Sequence, residues 1–435
     1  MGSIYFKSKT YNRFLVTLVL VSIVIIFILI SYQHQSNLEN LKYQRKVVEV
    51  ASTSELTTKE YVRDITKPNI TELQFKPCKQ KAVVIFAGFR TGSSFFGEYF
   101  NQHPAVYYLF EPLLGDENDR IKLLKNLLKC NYSEVEKIYG KRSNEAEWVK
   151  CKSNVCFSGR SSFLWRNTNL CKNKHPFCGV DVLDINVLSK VCRQSIAIAF
   201  KVVRLYHLSD LEEFLLDPEL DLKVLHLFRD PRPAVPSRIK MSGNNKSESK
   251  ISNQTLKYKQ SAEYLCRFYD RNLLYVKNCI KRHNSSNSNL PFACNSTISN
   301  AWKNSYLRLT HEYISERPFD ALELVYKFVG INFDANVAEW ISDHTSIAAT
   351  NNTKHTEKNI SGKFFGTSRD SKKVLNSWRL EEQFVDVEAI QKPCINAIKS
   401  LGYIPVVNET HLKDISFSLY NINNSVVGSF VRYPL

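Results

Sequence analysis

The chain is poor in glycine, proline and acidic residues, and it has one long apolar run. With 14 Gly and 14 Pro among 435 residues it is not collagen-like, and with 43% hydrophobic residues it is not disordered. Because only one apolar run is long enough to cross a bilayer, the chain is not a membrane protein with several spans. Because 42 acidic residues face 59 basic ones, a net charge of +17, we expect an anionic partner such as nucleic acid, nucleotide, acidic glycan or lipid headgroup.

The apolar run covers residues 14–32, which is about 28 Å of helix at about 1.5 Å per residue and just enough to span a bilayer. Basic residues precede the run, and none follows it until Lys42. We therefore predict a cytosolic N-terminus over 1–13, a transmembrane signal-anchor helix over 14–32 and a luminal remainder. A cleaved signal peptide is the alternative, but the run is long and is not followed by small residues.

The luminal part divides by composition. Residues 33–79 are polar without an apolar period and predict a stem. Residues 80–406 predict the globular domain, and residues 407–435 a C-terminal tail. Two segments rich in Ser and Asn, 242–256 and 283–300, predict exposed insertions.

The cysteines and glycosylation sequons fit an oxidising lumen. Most of the eleven cysteines should be paired, and the odd one is either free or bridges a homodimer. A zinc site of Cys151, Cys156, Cys171 and Cys178 with His175 is the alternative, but these spacings lack the tight pairs of common zinc modules. Ten Asn-x-Ser/Thr sequons occur, at Asn69, Asn131, Asn245, Asn253, Asn284, Asn295, Asn351, Asn359, Asn408 and Asn423.

The globular part opens with a strand, a loop and a helix. Residues 81–87, KAVVIFA, predict a buried parallel strand, and 95–102 predict a helix. The loop between them, 88–94, resembles a Walker A sequence but lacks its Gly-Lys-Ser/Thr ending. Such a unit binds phosphate through loop N–H groups and the helix dipole, although an ordinary turn is the alternative.

Further elements follow the same pattern. Strands are predicted over 196–203, 222–228 and 306–309. Ser209 and Glu212 predict a capping box before a helix over 211–216, and a helix is predicted to begin in residues 229–232. An amphipathic helix over 318–329 should end at Gly330. Two βα turns would then present basic loops at the carboxyl edge of one sheet.

The first loop has the chemistry of an anion cradle. Gly92 allows its backbone N–H groups to turn inward, and the hydroxyls of Thr91, Ser93 and Ser94 add donors. Arg90 supplies a permanent positive charge.

In the second loop, Arg229 and Arg232 leave a strand, and Ser237 lies two helical turns beyond Arg229. Together they could bracket one phosphate, although surface ion pairs with Asp230 or a nearby acid are the alternative.

Together the loops resemble the two phosphosulfate-binding motifs of the Golgi carbohydrate 6-O-sulfotransferases, which use 3′-phosphoadenosine 5′-phosphosulfate (PAPS). The first motif is RTGSSF at 90–95, and the second is LFRDPRPAVPSR at 227–238. The resemblance extends from about residue 80 to 405. It implies an α/β, P-loop-like three-layer fold with a central, mostly parallel sheet flanked by helices, preceded by the single transmembrane helix.

The resemblance also implies roles for residues. The cofactor-binding set would be Arg90, Thr91, Gly92, Ser93, Ser94 and Phe95 at the 5′-phosphosulfate, with Arg229, Asp230, Pro231, Arg232, Ser237 and Arg238 at the 3′-phosphate. The catalytic residues would be Arg90, which steadies the leaving group, and Glu111, the favoured general base.

Other roles stay open. Glu111 is alternatively a capping or salt-bridged carboxylate, and His207 and His311 are fallback bases. Lys201 and Arg204 would contact cofactor or an anionic glycan, or simply be solvated. Trp378 would stack on a ring or belong to the core.

Two segments depart from the family. Pro233 and Pro236 stand at usually non-proline positions, and both are expected to fit in the first helical turn. Where the family has Arg-Tyr-Glu-Asp, this chain has THEY at 310–313.

The function implied is transfer of a sulfuryl group from PAPS to the 6-hydroxyl of a galactose, N-acetylglucosamine or N-acetylgalactosamine residue in a keratan- or chondroitin-type glycan. The enzyme would sit in the Golgi membrane, with a glycan or proteoglycan as partner, as a possible homodimer, and with neither a metal nor nucleic acid. One alternative is a membrane-anchored glycan-binding protein that keeps the fold without turnover. The other is a P-loop kinase, against which the absent Walker lysine argues.

Overall fold

The computed structural model describes residues 79–113, 117–133, 135, 161, 185–241, 251–281, 294–345, 371–421 and 426–428. The predicted cytosolic segment, signal-anchor helix and stem lie outside these residues, apart from Lys79. Within the described part, no helix is both long and apolar enough to cross a membrane.

A six-stranded sheet forms the centre of the fold. In chain order its strands are β1 (Gln80–Ala87), β2 (Val106–Phe110), β3 (Ala197–Val202), β4 (Leu220–Phe228), β5 (Tyr306–Thr310) and β6 (Val426–Gly428). Their order in the sheet is β2-β3-β1-β4-β5-β6, and only β6 runs antiparallel to its neighbour. Central β1 pairs in parallel with β3 on one side and with β4 on the other.

The helices are named in the same way. They are α1 (Ser93–Asn101), α2 (Glu117–Leu128), α3 (Ile185–Gln194), α4 (Glu212–Leu215), α5 (Pro231–Met241), α6 (Ile251–Lys281), α7 (Ser296–Ser305), α8 (His311–Glu316), α9 (Pro318–Val329), α10 (Ala335–Thr345), α11 (Ser371–Glu381), α12 (Phe384–Ser400) and α13 (Glu409–Lys413). A 3₁₀ turn over Leu208–Leu211 precedes α4.

Both faces of the sheet are buried. Successive side chains of β1 point to opposite sides, so each face contributes to a core of its own. Val84 and Phe86 belong to a core that includes side chains of α2 and α3. Val83 and Ile85 belong to a second core, which includes side chains of α1, α9 and α10. Helices on both faces of a mostly parallel sheet confirm the predicted α/β architecture.

Most predicted elements are present. The strands predicted at 81–87, 196–203, 222–228 and 306–309 all occur within two residues of their predicted ends. The helix over 318–329 has the predicted bounds, and Gly330 ends it with φ 71°, a left-handed conformation that glycine adopts without strain.

Two local predictions are wrong, and a third holds only in part. The capping box is absent, since the turns at 208–215 have no side-chain cap. The segments 242–256 and 283–300, predicted as exposed insertions, include the starts of α6 and α7, and most of their described side chains are exposed, although Ser299 is buried. Pro236 lies at the sixth position of α5, beyond its first turn.

Residues beyond 406, predicted as a tail, contribute to the packed domain. The guanidinium of buried Arg379 donates to the carbonyls of Leu412 and Phe417, at 2.9 and 2.6 Å. Leu412 is fully buried, and β6 extends the sheet beyond β5.

Three disulfides connect described cysteines: Cys130–Cys192, Cys266–Cys394 and Cys279–Cys294. The second joins α6 to α12. The remaining five cysteines, including the four of the alternative zinc reading, lie outside the described residues. One His/Cys/Asp/Glu cluster of metal-binding size occurs among the described residues, Glu212 with Cys279 and Cys294, and its two cysteines are already paired in a disulfide.

Candidate active site

The first loop turns sharply between β1 and α1. Arg90 and Gly92 both have left-handed backbones, with φ 67° and 83°. Gly92 is the N-cap of α1, and the buried Thr91 hydroxyl donates to the Gly88 carbonyl over 2.8 Å. A left-handed arginine is uncommon, and such strain is concentrated at functional sites. The loop therefore lies at the positive end of a helix dipole with Arg90 at its apex.

The second loop, between β4 and α5, meets the first loop directly. The Arg90 side chain donates from Nε to Ser237 Oγ over 2.9 Å. Arg229 donates to the Arg90 carbonyl over 3.1 Å, and Arg238 donates to the Phe89 carbonyl over 3.5 Å. The structure thus brings the two sequence motifs together at the carboxyl ends of neighbouring strands β1 and β4.

Arg229 carries a buried hydrogen-bond donor at this junction. Its Nε is buried and has no hydrogen-bond partner among the described residues. Burial lowers the pKa of its guanidinium, but an arginine remains charged at any physiological pH. A buried donor without a partner is costly, and an anion placed beside it would remove that cost.

Arg232 and Asp230 lie behind the loop. Arg232 is fully buried and donates to both carboxylate oxygens of Asp230, at 2.6 to 3.0 Å, and to the Ile404 carbonyl at 2.8 Å. Its guanidinium also lies 5.5 Å from the ring centroid of Trp378, which is 8% exposed. These contacts make the pair a buried support of the second loop, and they place Trp378 in the core.

Glu111 lies at the carboxyl end of β2, inside a cluster of cations. Its carboxylate accepts from Lys201 over 2.6 Å and from Arg204 over 2.8 Å. Lys201 also donates to Ser94 Oγ over 3.2 Å, which connects Glu111 to the first turn of α1. Burial alone would raise the pKa of Glu111, but the charges and hydrogen bonds of Lys201 and Arg204 outweigh it and lower the pKa. Glu111 is therefore an ionised, salt-bridged carboxylate beside the first loop.

The start of α8 supplies residues that sequence reasoning undervalued. Glu312 is buried, accepts from the Asp230 backbone N–H over 3.2 Å and accepts from the Tyr403 hydroxyl over 2.5 Å. Burial and the nearby Asp230 charge raise its pKa to about 6.

The two fallback bases lie in different places. His311 packs on Gly92, and His207 lies elsewhere, paired with Arg271 over 3.2 Å. The departure of THEY from the family pattern was the signal that pointed to this segment.

Two basic loops at the carboxyl edge of a parallel sheet define an α/β protein built to hold an anionic ligand. Sequence relatives of the chain are carbohydrate sulfotransferases. Carbohydrate sulfotransferase 1 of Rattus norvegicus is 28% identical over 379 residues, which cover 78% of this chain and 82% of that protein. Carbohydrate sulfotransferase 4 of Mus musculus is 25% identical over 374 residues, covering 80% and 88%. These matches over most of the chain support membership of the carbohydrate sulfotransferase family.

No family model matches the chain. Among solved structures, retinol dehydratase in complex with androsterone and inactive cofactor PAP aligns over 74% of this chain and 82% of its own, with 15% identity and a TM-score of 0.37. Mouse sulfotransferase SULT7A1 complexed with PAP aligns over 74% and 84%, with 10% identity and a TM-score of 0.37. These TM-scores are too low to define a fold.

Proposed function

We propose that the chain transfers a sulfuryl group from PAPS to the 6-hydroxyl of a galactose, N-acetylglucosamine or N-acetylgalactosamine residue in a glycan or proteoglycan. The observation that carries the proposal is the Arg90–Ser237 hydrogen bond of 2.9 Å. It joins one residue of each motif, so both motifs contribute to one site. A donor with phosphate at its 3′ position and phosphosulfate at its 5′ position needs two such anion sites close together.

The residues present fit this donor. The backbone N–H groups from Gly92 to Ser94, the start of α1 and the Arg90 guanidinium would hold the 5′-phosphosulfate. Arg229 and Ser237 would hold the 3′-phosphate. The buried Arg229 Nε–H would donate a hydrogen bond to that phosphate. Arg232 and Asp230 support this loop through their buried ion pair.

In the proposed reaction the acceptor hydroxyl attacks sulfur in line with the leaving 5′-phosphate. Negative charge grows on the bridging oxygen, where Arg90 and the loop N–H groups stabilise it. Lys201, which contacts both Ser94 and Glu111, places a second cation beside the same loop. Glu111 accepts the hydroxyl proton, and its low pKa means that it is ionised and ready at neutral pH but is a weak base.

The sheet order suggests where the acceptor enters. The donor loops follow β1 and β4, whereas Glu111 and Lys201 lie at the ends of β2 and β3, on the other side of β1. Arg204 lies 5.8 Å from the Phe89 ring centroid there, and Arg120 lies 5.4 Å from that of Tyr206. Aromatic faces and arginines suit a sugar ring with an anionic neighbour. We place the acceptor on the β2–β3 side.

The cellular setting is part of the proposal. A signal-anchor over residues 14–32 would hold the domain in the Golgi lumen as a single-pass type II protein. An oxidising lumen is consistent with the three disulfides of the described residues. The odd cysteine leaves a disulfide-bridged homodimer as a further expectation.

The test is transfer of labelled sulfate from PAPS by the secreted domain, from about residue 60 onward, to keratan, chondroitin and N-acetylglucosamine-terminated acceptors. We expect label on at least one acceptor, at the 6-position by product analysis, and at least a hundredfold loss in Arg90→Ala and Arg229→Ala. Arg193→Ala, an exposed arginine on α3, is the matched control and should keep wild-type activity.

Two results would contradict the proposal. A folded protein that binds adenosine 3′,5′-bisphosphate but transfers no label would favour a glycan-binding protein without turnover. A protein that binds ATP in preference to the bisphosphate would favour a kinase.

A further inference from the structure

The first two residues of α8 contact both donor loops. His311 packs on Gly92 of the first loop, and Glu312 accepts from the backbone of Asp230 in the second loop. They are adjacent in sequence and follow β5, which pairs with β4. One rigid strand-to-helix junction therefore links the two anion sites.

The Glu312 contact fixes the peptide that carries Arg229. Glu312 Oε1 accepts from the Asp230 N–H over 3.2 Å. On the other side of the same stretch, the Tyr269 hydroxyl lies 3.3 Å from both the N–H and the carbonyl of Arg229. Tyr403 donates to the remaining Glu312 oxygen over 2.5 Å and holds the carboxylate in place. The direction of the Arg229 side chain thus depends on a buried carboxylate.

The His311 contact fixes the first loop. A Cβ added to Gly92 would lie 2.8 Å from Cε1 and 3.0 Å from Cγ of the His311 ring. No side chain fits between them, so the imidazole lies directly against the backbone that begins α1. Thr310 caps α8 by accepting from the Tyr313 N–H over 3.3 Å, which holds His311 in register.

We infer that His311 and Glu312 are positioning residues that set the two donor loops relative to each other, His311 for the 5′ site and Glu312 for the 3′ site. The inference rests on the proposed function, because it names these sites by the donor's phosphates. It goes beyond the sequence motifs, since neither residue belongs to them.

The charge on Glu312 adds a second consequence. Arg229 and Asp230 of the second loop face this carboxylate, as do Tyr269 of α6, Tyr403 after α12 and Tyr420 near the end of the chain. An ionised Glu312 neutralises part of the Arg229 charge. When Glu312 is protonated, the full Arg229 charge attracts the 3′-phosphate. The affinity of the wild type for that phosphate should therefore rise as pH falls through about 6, when it is compared with the affinity of Glu312→Gln, which carries no charge at this position.

The experiment measures calorimetric binding of adenosine 3′,5′-bisphosphate and of adenosine 5′-monophosphate, which lacks the 3′-phosphate. Glu312→Ala removes the contact, and Glu312→Gln keeps its shape but removes the charge. His311→Ala tests the other loop. Glu316→Gln is the matched control, because Glu316 is exposed on the same helix and bonds Tyr420 over 2.8 Å.

We expect Glu312→Ala to weaken the bisphosphate at least tenfold and the monophosphate less than twofold. His311→Ala should weaken both ligands by a similar factor. Between pH 5 and 7.5 the ratio of wild-type to Glu312→Gln dissociation constants for the bisphosphate should rise about fivefold, the scale of one partly screened charge. This ratio cancels the titration of the ligand itself, and a purely structural role would not change it with pH.

Equal losses for both ligands in Glu312→Ala, or a ratio that does not vary with pH, would overturn the inference. Either result would leave the proposed function standing, because the wild type would still prefer the bisphosphate. Failure of the wild type to bind the bisphosphate would instead contradict the proposed function.

Discussion

Gly92 is the position where the geometry of the first loop can be tested most sharply by a single methyl group. Gly92→Ala places a Cβ on a backbone with φ 83°, which costs about 1–2 kcal/mol for an L-residue. The same Cβ meets the His311 ring at 3.0 Å or less, which adds about 1–3 kcal/mol of overpacking. We expect a total loss of about 2–5 kcal/mol in the free energy of unfolding.

Two comparisons separate the cost of the backbone conformation from the cost of overpacking. Gly330→Ala has a similar backbone, φ 71°, but its Cβ meets only the flexible end of Lys81 at 3.1 Å, so it should show the backbone cost alone. Gly92→Ala combined with His311→Ala should recover the overpacking part, seen as a coupling energy of about 1–3 kcal/mol in a double-mutant cycle.

The assay is urea unfolding of the secreted domain followed by tryptophan fluorescence, with binding of adenosine 3′,5′-bisphosphate measured on the folded proteins. Gly92→Ala should also weaken that binding, whereas Gly330→Ala should not. A Gly92→Ala loss no larger than that of Gly330→Ala, with no coupling to His311, would refute the close contact between α8 and the loop.

Three further predictions concern buried groups. Arg232→Ala should cost about 3–5 kcal/mol in urea unfolding, because it leaves the Asp230 carboxylate buried without its cation, and a cost below 1 kcal/mol would contradict that pair. The pKa of Glu312 is raised to about 6, so its contribution to stability is complete below pH 4.5 and is lost as pH rises through 6. Relative to Glu312→Gln, the wild type should therefore lose about 2 kcal/mol between pH 4 and 7.5, and a difference that stays constant with pH would show that Glu312 titrates normally. Replacing Cys266 and Cys394 by serine opens a loop of sequence separation 128 and should cost about 4–5 kcal/mol, whereas an unchanged urea midpoint would show that the disulfide adds nothing.

Elements with a strong local pattern were predictable. The apolar run before Gly88 predicted β1, and the Pro318 start with the Gly330 stop predicted α9, since these signals act within one element. The place of the first loop between a strand and a helix also followed from sequence, and its anion-binding role stays a prediction.

Long-range partners were not predictable. Glu111 was a candidate base from its sequence context, but the sequence could not show that Lys201 and Arg204, about ninety positions later, lower its pKa. Arg232 was predicted at the phosphate, yet it lies in the core with Asp230 and Ile404, because α12 and the segment after it cover the loop. Such contacts depend on how helices pack on the sheet, which one sequence does not reveal.

Whether the two motifs form one donor site is tested most directly by comparing the binding of two nucleotides. Calorimetry of the secreted domain with adenosine 3′,5′-bisphosphate should give micromolar or tighter binding. Arg229→Ala should remove the preference over adenosine 5′-monophosphate, Arg90→Ala should weaken both ligands, and Arg193→Ala should change neither. A wild-type protein that does not distinguish the two nucleotides would contradict the account.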